Sequence, residues 1–320
     1  MIYRGGTIKR SVIQVANSTQ LISLPRKWSQ QYNIKKGDEL EVEEQGNKLV
    51  VSTEKDLHLQ NISIDVTGLD RTSILYHILT LYKRGYDEIT VSFKEPYTTH
   101  FRTSERKTVS SVLHDVVSRL TGFEIIQQKE TFCVIREITE PTTREFESAL
   151  RRVFILINDA CADIIVGIKN NDHYLLQTIE EKHNTIMKFV SFCLRILSKK
   201  GHPEQKKTIL YYHIISNIDK IVDILKYSTR DYISLNLRLS KESVSIAEDI
   251  FRSIALYSDF FYKFQISKVS TMYENRDKVL RNIRKHGKKS PSGEILFLAQ
   301  LSSILELVTD ITESRIGAEY

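Results

Sequence analysis

The chain has 320 residues, 41% hydrophobic and 27% charged, with a formal net charge of +6 and a pI near 9.0. That length exceeds one ordinary core and predicts two or three domains, while the composition excludes a disordered chain. Cys133, Cys161 and Cys193 lie far apart with no C-x-x-C pair, which argues against a zinc site or a disulfide framework.

No stretch reads as a membrane span of eighteen or more apolar residues, and the N-terminus shows no signal-peptide core. The expectation is a soluble cytoplasmic protein without membrane insertion.

Residues 9–51 carry the first pattern. Val12, Ile13 and Val15, then Leu21, Ile22 and Leu24, alternate with polar residues as half-buried strands do. Pro25 fits the start of a short helix better than a mid-sheet position. Gly37 marks a turn where positive φ is expected, and Leu40, Val42, Leu49, Val50 and Val51 form a hairpin around Gln45-Gly46-Asn47. The first thirty-six residues hold seven basic side chains (Arg4, Lys9, Arg10, Arg26, Lys27, Lys35, Lys36) and no acid, and Asp38, Glu39, Glu41, Glu43 and Glu44 then arrive together. One face of a small β-domain is thus positive, as a phosphate backbone requires. About fifty residues bury too little surface to be stable alone, which favours dimerisation.

Read as strand, V-x-N-S, strand, L-P-x-x-W and N-I-K-x-G-D-x-L-x-V, residues 7–52 resemble the SpoVT-AbrB/MazE type of DNA-binding domain. Ala16 departs from the glycine usual in that family. The resemblance implies a homodimer of interlocked hairpins with a basic β-surface for DNA. On that surface Lys9, Arg10, Arg26 and Lys27 supply charged contacts, and Gln14, Asn17 and Ser18 supply neutral hydrogen bonds.

After residue 56 the pattern restarts. Ile62, Ile64 and Val66 alternate, and Asp70 caps a helix stopped at Gly85. Glu88 to Phe93 is a strand, Lys94 to Arg102 a loop, and Val109 to Leu120 an amphipathic helix. Phe123 to Gln127 and Phe132 to Ile138 make a closing hairpin. The order predicts an α/β domain with helices on one sheet. It has no glycine-rich phosphate loop, and His77 and His114 have no ligand partner at helical spacing.

From Thr142 the chain turns helical. Three helices are expected over about 142–169, 172–199 and 204–235, with one-sided apolar stripes. Three more follow, the fourth capped by Ser240, the fifth ending in the basic run Arg284 to Lys289, and the sixth opened by Pro291. An offset near eighty-seven residues makes this an internal duplication. The fold class is therefore α+β multidomain: a swapped-hairpin β-domain (1–55), an α/β domain (57–140) and an all-α pair of three-helix bundles (142–236 and 240–320). The aromatic group from Tyr257 to Phe264 reads as core, and Arg284 to Lys289 as a solvated helix end or a contact for DNA or an acidic partner.

The third helix of each unit carries two acids four residues apart, Asp219 with Asp223 and Glu306 with Asp310. That spacing puts both carboxylates on one face, where they need solvent or a cation, and hard cations or iron suit such oxygens. Tandem three-helix units with these pairs are similar to the PhoU family of phosphate-signalling proteins. That resemblance implies iron or another divalent metal, with Glu180 and Asp277 as second-helix ligands. Those two motifs are damaged here, one ending in Asn184 and the other beginning with Tyr273, and His183 and His213 are the available nitrogen donors.

No nucleophile–base constellation or cofactor loop appears, so no enzyme is expected. The two resemblances together are similar to archaeal PhoU-like phosphate-uptake regulators with an N-terminal AbrB-type domain. They imply a DNA-binding transcriptional regulator of phosphate homeostasis that damps uptake. The alternative is a PhoU-like adaptor for a phosphate transporter or signalling kinase, its N-terminal domain acting only as a clasp.

Overall fold

The computed structural model describes residues 8–15, 19–45, 48–53 and 60–320, and the chain forms two compact units, Met1–Leu59 and Gln60–Tyr320. In the first unit β1 (Ile13–Val15) pairs antiparallel with β2 (Thr19–Leu21), placing Ile13 opposite Leu21 and Gln14 opposite Gln20. Pro25 stands just before α1 (Arg26–Gln31), and its carbonyl accepts from the Ser29 N–H at 3.0 Å. Gly37 adopts φ +95°, as its turn requires. β3 (Leu40–Gln45) and β4 (Lys48–Thr53) form the hairpin, with Val42 opposite Val51.

The expected half-burial of these strands is not reached. Ile13, Val15 and Leu21 are 56%, 46% and 50% exposed, and no described apolar side chain of the unit is buried. Alternation sets a common face, but burial needs something to cover it.

The second unit begins with a four-stranded sheet in the order β5-β6-β10-β9. β5 (Asn61–Asp65) runs parallel to β6 (Glu88–Ser92), joined by α2 (Arg71–Arg84). The Asp70 carboxylate accepts from the N–H groups of Thr72 and Ser73 at the start of α2, and Gly85 closes it at φ +104°. The stretch expected to be a loop, Lys94 to Arg102, holds instead β7 (Tyr97–His100), which forms a hairpin with β8 (Glu105–Thr108) just beyond it. Its residues are mostly polar, so no apolar alternation announced it. Thr98 pins it by donating to the Leu69 carbonyl at 2.7 Å. α3 (Val109–Val117), β9 (Phe123–Gln128) and β10 (Phe132–Glu137) complete the layer, and α2 and α3 bury Ile74, Ile78, Val112 and Val116 with Ile89 and Ile135 of the sheet.

The helical half comprises α4 (Thr143–Asn170), α5 (His173–Gln177), α6 (Ile179–Lys199), α7 (Lys207–Ser234), α8 (Lys241–Tyr262), α9 (Lys268–Gly287) and α10 (Ser292–Gly317). The single helix expected over 172–199 is broken at Thr178, whose hydroxyl donates to the Leu175 carbonyl at 2.7 Å. Leu176 of the short α5 folds onto α4 at Gly167, where a Cβ would stand 2.6 Å from Leu176 Cδ2. A glycine there makes the close approach feasible.

The duplication shows in burial. Ile214 and Leu301, Ile218 and Leu305, and Ile221 and Val308 are all buried at an offset of eighty-seven positions. α7 and α10 share the most extensive helix–helix contact, and α4 packs on α8. α10 is the one described helix long and apolar enough to cross a membrane, which the sequence reading did not recognise. Phe297, Leu301, Ile304 and Ile311 of this helix lie in the helical core. The aromatic group lies there too, Phe154 stacking with Tyr257, Phe261 and Tyr262.

Candidate functional sites

In the first unit Lys9 and Arg10 lead into β1, while Arg26 and Lys27 open α1. All four are exposed, and none has an ion-pair partner among the described residues. Gln14 is exposed in the middle of β1, opposite Gln20. Asn17 and Ser18, together with Ala16, lie outside the described residues.

In the second unit the dominant polar feature is one that sequence reasoning missed. Arg195 of α6 has no exposed surface. Its guanidinium donates to the carbonyls of Tyr82 (2.9 Å) and Tyr86 (2.8 Å) and pairs with Asp87 (3.3 Å) and Glu137 (3.0 Å). It also lies 4.6 Å from the centre of the Phe123 ring. Lys199, one turn on, bridges the same two carboxylates at 2.5 Å each. Burial pushes the Asp87 carboxyl up, but Lys199 and the Gln60 N–H outweigh it and hold the group below the ordinary value. Two cations against two anions make a buried ionic latch between the sheet layer and repeat one. An Arg-x-x-x-Lys spacing on an apolar helix was its only sequence signal.

The acids expected to gather metal are dispersed. Among the described residues no three His, Cys, Asp or Glu side chains converge in a manner that would hold a metal ion. Asp219 lies 3.4 Å from Lys83, Glu180 pairs with Arg230 at 2.5 Å, and Arg276 grips both oxygens of Glu306 (2.7 and 2.9 Å) and reaches Asp277 (3.1 Å). Asp310 is exposed. Among the described residues Asp219, Asp223, Glu306, Asp310, Glu180 and Asp277 are not gathered into one set of donors. Lysine or arginine side chains stand beside Asp219, Asp223, Glu306, Glu180 and Asp277, and i,i+4 spacing alone did not reveal them.

Asp223 differs from the rest. Its Oδ1 lies 2.8 Å from Lys226 Nζ and 3.0 Å from His183 Nε2, and those two nitrogens are 2.9 Å apart. Burial raises the carboxyl, and His183 and Lys226 more than reverse this, so it stays charged well below the usual range. His183 is buried, because α7 brings Lys226 over it. His213 is exposed and ties α7 to α10 through Ser314 Oγ at 2.8 Å.

The three cysteines are buried, and burial pushes the Cys133 thiol up to about 11. In the basic run, Arg284, Lys285, Lys288 and Lys289 are exposed, while His286 Nε2 lies 2.9 Å from Ser243 Oγ.

The family model described as antidote-toxin recognition MazE, bacterial antitoxin, matches residues 13–56. The chain thus carries a MazE/AbrB-type domain at its N-terminus. Among solved structures it is similar to the phosphate transport system regulatory protein PhoU from Streptococcus pneumoniae, at 13% identity and a TM-score of 0.44, covering 55% of this chain and 94% of that one. No curated protein matches.

Proposed function

We propose, taking the MazE/AbrB-type domain as the premise, that this chain is a DNA-binding transcriptional regulator, dimeric through its N-terminal unit, and that its helical half relays phosphate status to restrain phosphate uptake. One observation carries the DNA-binding part. Lys9, Arg10, Arg26 and Lys27 are exposed without carboxylate partners among the described residues, in a leading segment that has no acid before Asp38. Cations left free in this way are available to phosphates, which release counterions on contact.

The dimer rests on a second observation, the uncovered Ile13, Val15, Leu21, Val42 and Leu49 of a unit with no described apolar core. Two copies covering each other's apolar faces supply the missing core. Under this reading 1–55 binds DNA and dimerises, 57–140 transmits, and 142–320 senses. Phosphate is named from the sequence resemblance of the tandem helical units, and the direction of regulation rests on the same ground.

Gel shifts of the full chain on the DNA upstream of its own gene test the reading. Four phosphate contacts per protomer predict that log K falls with log salt at a slope of about −7 for the dimer. Arg10→Glu with Arg26→Glu abolishes the shift while the dimer persists in sedimentation. Unchanged binding by that variant overturns the site. A wild-type dimer that shifts no DNA leaves the adaptor reading, with the N-terminal unit as a clasp.

A further inference from the structure

A cavity of about 500 Å³ opens within the second unit, between α2, the β7–β8 hairpin, the end of α3, and helices α6 and α7. Seven lysines and arginines line it against three carboxylates, Glu180, Asp219 and Asp223. Each carboxylate is already engaged, by Arg230, Lys83 and Lys226 respectively. Of the remaining four cations, half-buried Arg71 and Arg119 and exposed Arg102 gather with His100 at one side, and Lys220 is exposed.

No carboxylate among the described residues lies within ion-pair distance of those three arginines. Arg71 Nε is buried with no hydrogen-bond partner in the described chain. Among the described residues Arg102 makes only a 3.5 Å contact to the Tyr227 hydroxyl, and it lies over that ring at 5.3 Å. Burial, and then Arg71 beside it, lowers the affinity of Arg119 for its proton, and burial, Arg71 and Arg102 do the same to His100. Like charges drawn together in a partly desolvated place repel one another, and an orphaned donor adds its own penalty. Both costs vanish when an anion with several acceptor oxygens sits among them.

The rest of the lining says what the anion is attached to. Leu75, Leu79 and Met187 form an apolar wall, and the Tyr227 ring faces the cavity beside Arg102. The volume suits a drug-sized molecule rather than a single phosphate ion. We propose that this cavity is a binding site for a phosphorylated small molecule of nucleotide size. Arg71, Arg102 and Arg119 hold its phosphate oxygens by charge-assisted, fork-shaped pairing, and its ring lies on Leu79, Met187 and Tyr227. Because the arginines come from the sheet layer and Tyr227 from α7, the ligand clamps that layer to repeat one. The site stands independently of the DNA-binding reading.

Calorimetry on the full chain, with ATP, AMP, adenosine and inorganic phosphate as probes and no DNA present, tests it. ATP binds and raises the melting temperature, and adenosine, lacking phosphate, does not bind. Arg71→Gln with Arg119→Gln weakens ATP at least tenfold, whereas Arg276→Gln on repeat two leaves it unchanged. Without ligand the double variant melts no lower than the parent, because it relieves repulsion; a purely structural pair of arginines would lower it. Absence of ATP binding, or equal binding by the double variant, overturns the proposal. Inorganic phosphate binding as tightly as ATP overturns the nucleotide-sized ligand.

Discussion

The two helical repeats carry the same apolar stripe on their third helices but meet different surroundings. In repeat one, α6 faces the sheet layer, so Arg195 and Lys199 are drawn into a buried latch, and Asp223 is locked between His183 and Lys226. In repeat two the corresponding acids face outward, with Glu306 gripped by Arg276 at the surface and Asp310 exposed. Equal sequence periodicity therefore produced equal cores and unequal polar faces. Apolar positions answer to helix geometry alone, whereas a charged side chain takes the partner that a neighbouring element offers.

The sharpest way to break this asymmetry is at the latch. Arg195→Met leaves Asp87 and Glu137 buried with Lys199 as their one remaining cation in the latch, and removing one partner of a buried ionic network costs about 3–5 kcal/mol. Urea unfolding followed by circular dichroism should show that loss, with the sheet layer melting before the bundle. The symmetric control is in the cores. Ile214→Ala and Leu301→Ala, equivalent and fully buried, should each cost about 2–5 kcal/mol and agree with each other within about 1 kcal/mol.

A smaller difference separates the acids. Asp223→Asn removes the charge partner of a buried lysine and should cost about 1.5–3 kcal/mol by the same measurement, while Asp310→Asn, fully outside, should change nothing measurable. The pH dependence has a definite sign. The folded-state pKa of Asp223 is depressed, so its contribution is present above the unfolded value of about 3.9 and is lost as pH falls through the folded value. The stability difference between wild type and Asp223→Asn should be full above about pH 5, shrink as pH falls below about 4, and close only once pH passes the depressed folded value. A small effect is expected at Arg276→Ala, whose surface pair with Glu306 is worth about 0–1 kcal/mol, and high salt should erase it.

Legibility followed the same division. Caps and stops at Asp70, Gly85, Ser240 and Pro291 are local, and each stands at or within a residue of a helix boundary. The β7–β8 hairpin escaped notice because its strands are mostly polar, and the break at Thr178 escaped because α5 continues the apolar spacing of α6. Among the candidate site residues, the exposure of Lys9, Arg10, Arg26 and Lys27 followed from an acid-free leading segment. The burial of His183 did not follow, since it depends on Lys226, forty-three residues away in sequence, arriving from another helix.

By itself the sequence determined where the helices and most strands lie, which faces are apolar, that the helical half is doubled, and where positive charge gathers near the N-terminus. Those properties depend on a residue and its near neighbours along the chain. Only the tertiary structure decided that Asp219, Asp223 and Glu306 meet lysine or arginine, that Arg195 is buried in a latch, and that three arginines converge on one cavity without carboxylate partners among the described residues. Such encounters join residues from separate elements, and the free energy of a buried charge is set by what stands within a few ångströms of it, which periodicity along one helix cannot specify.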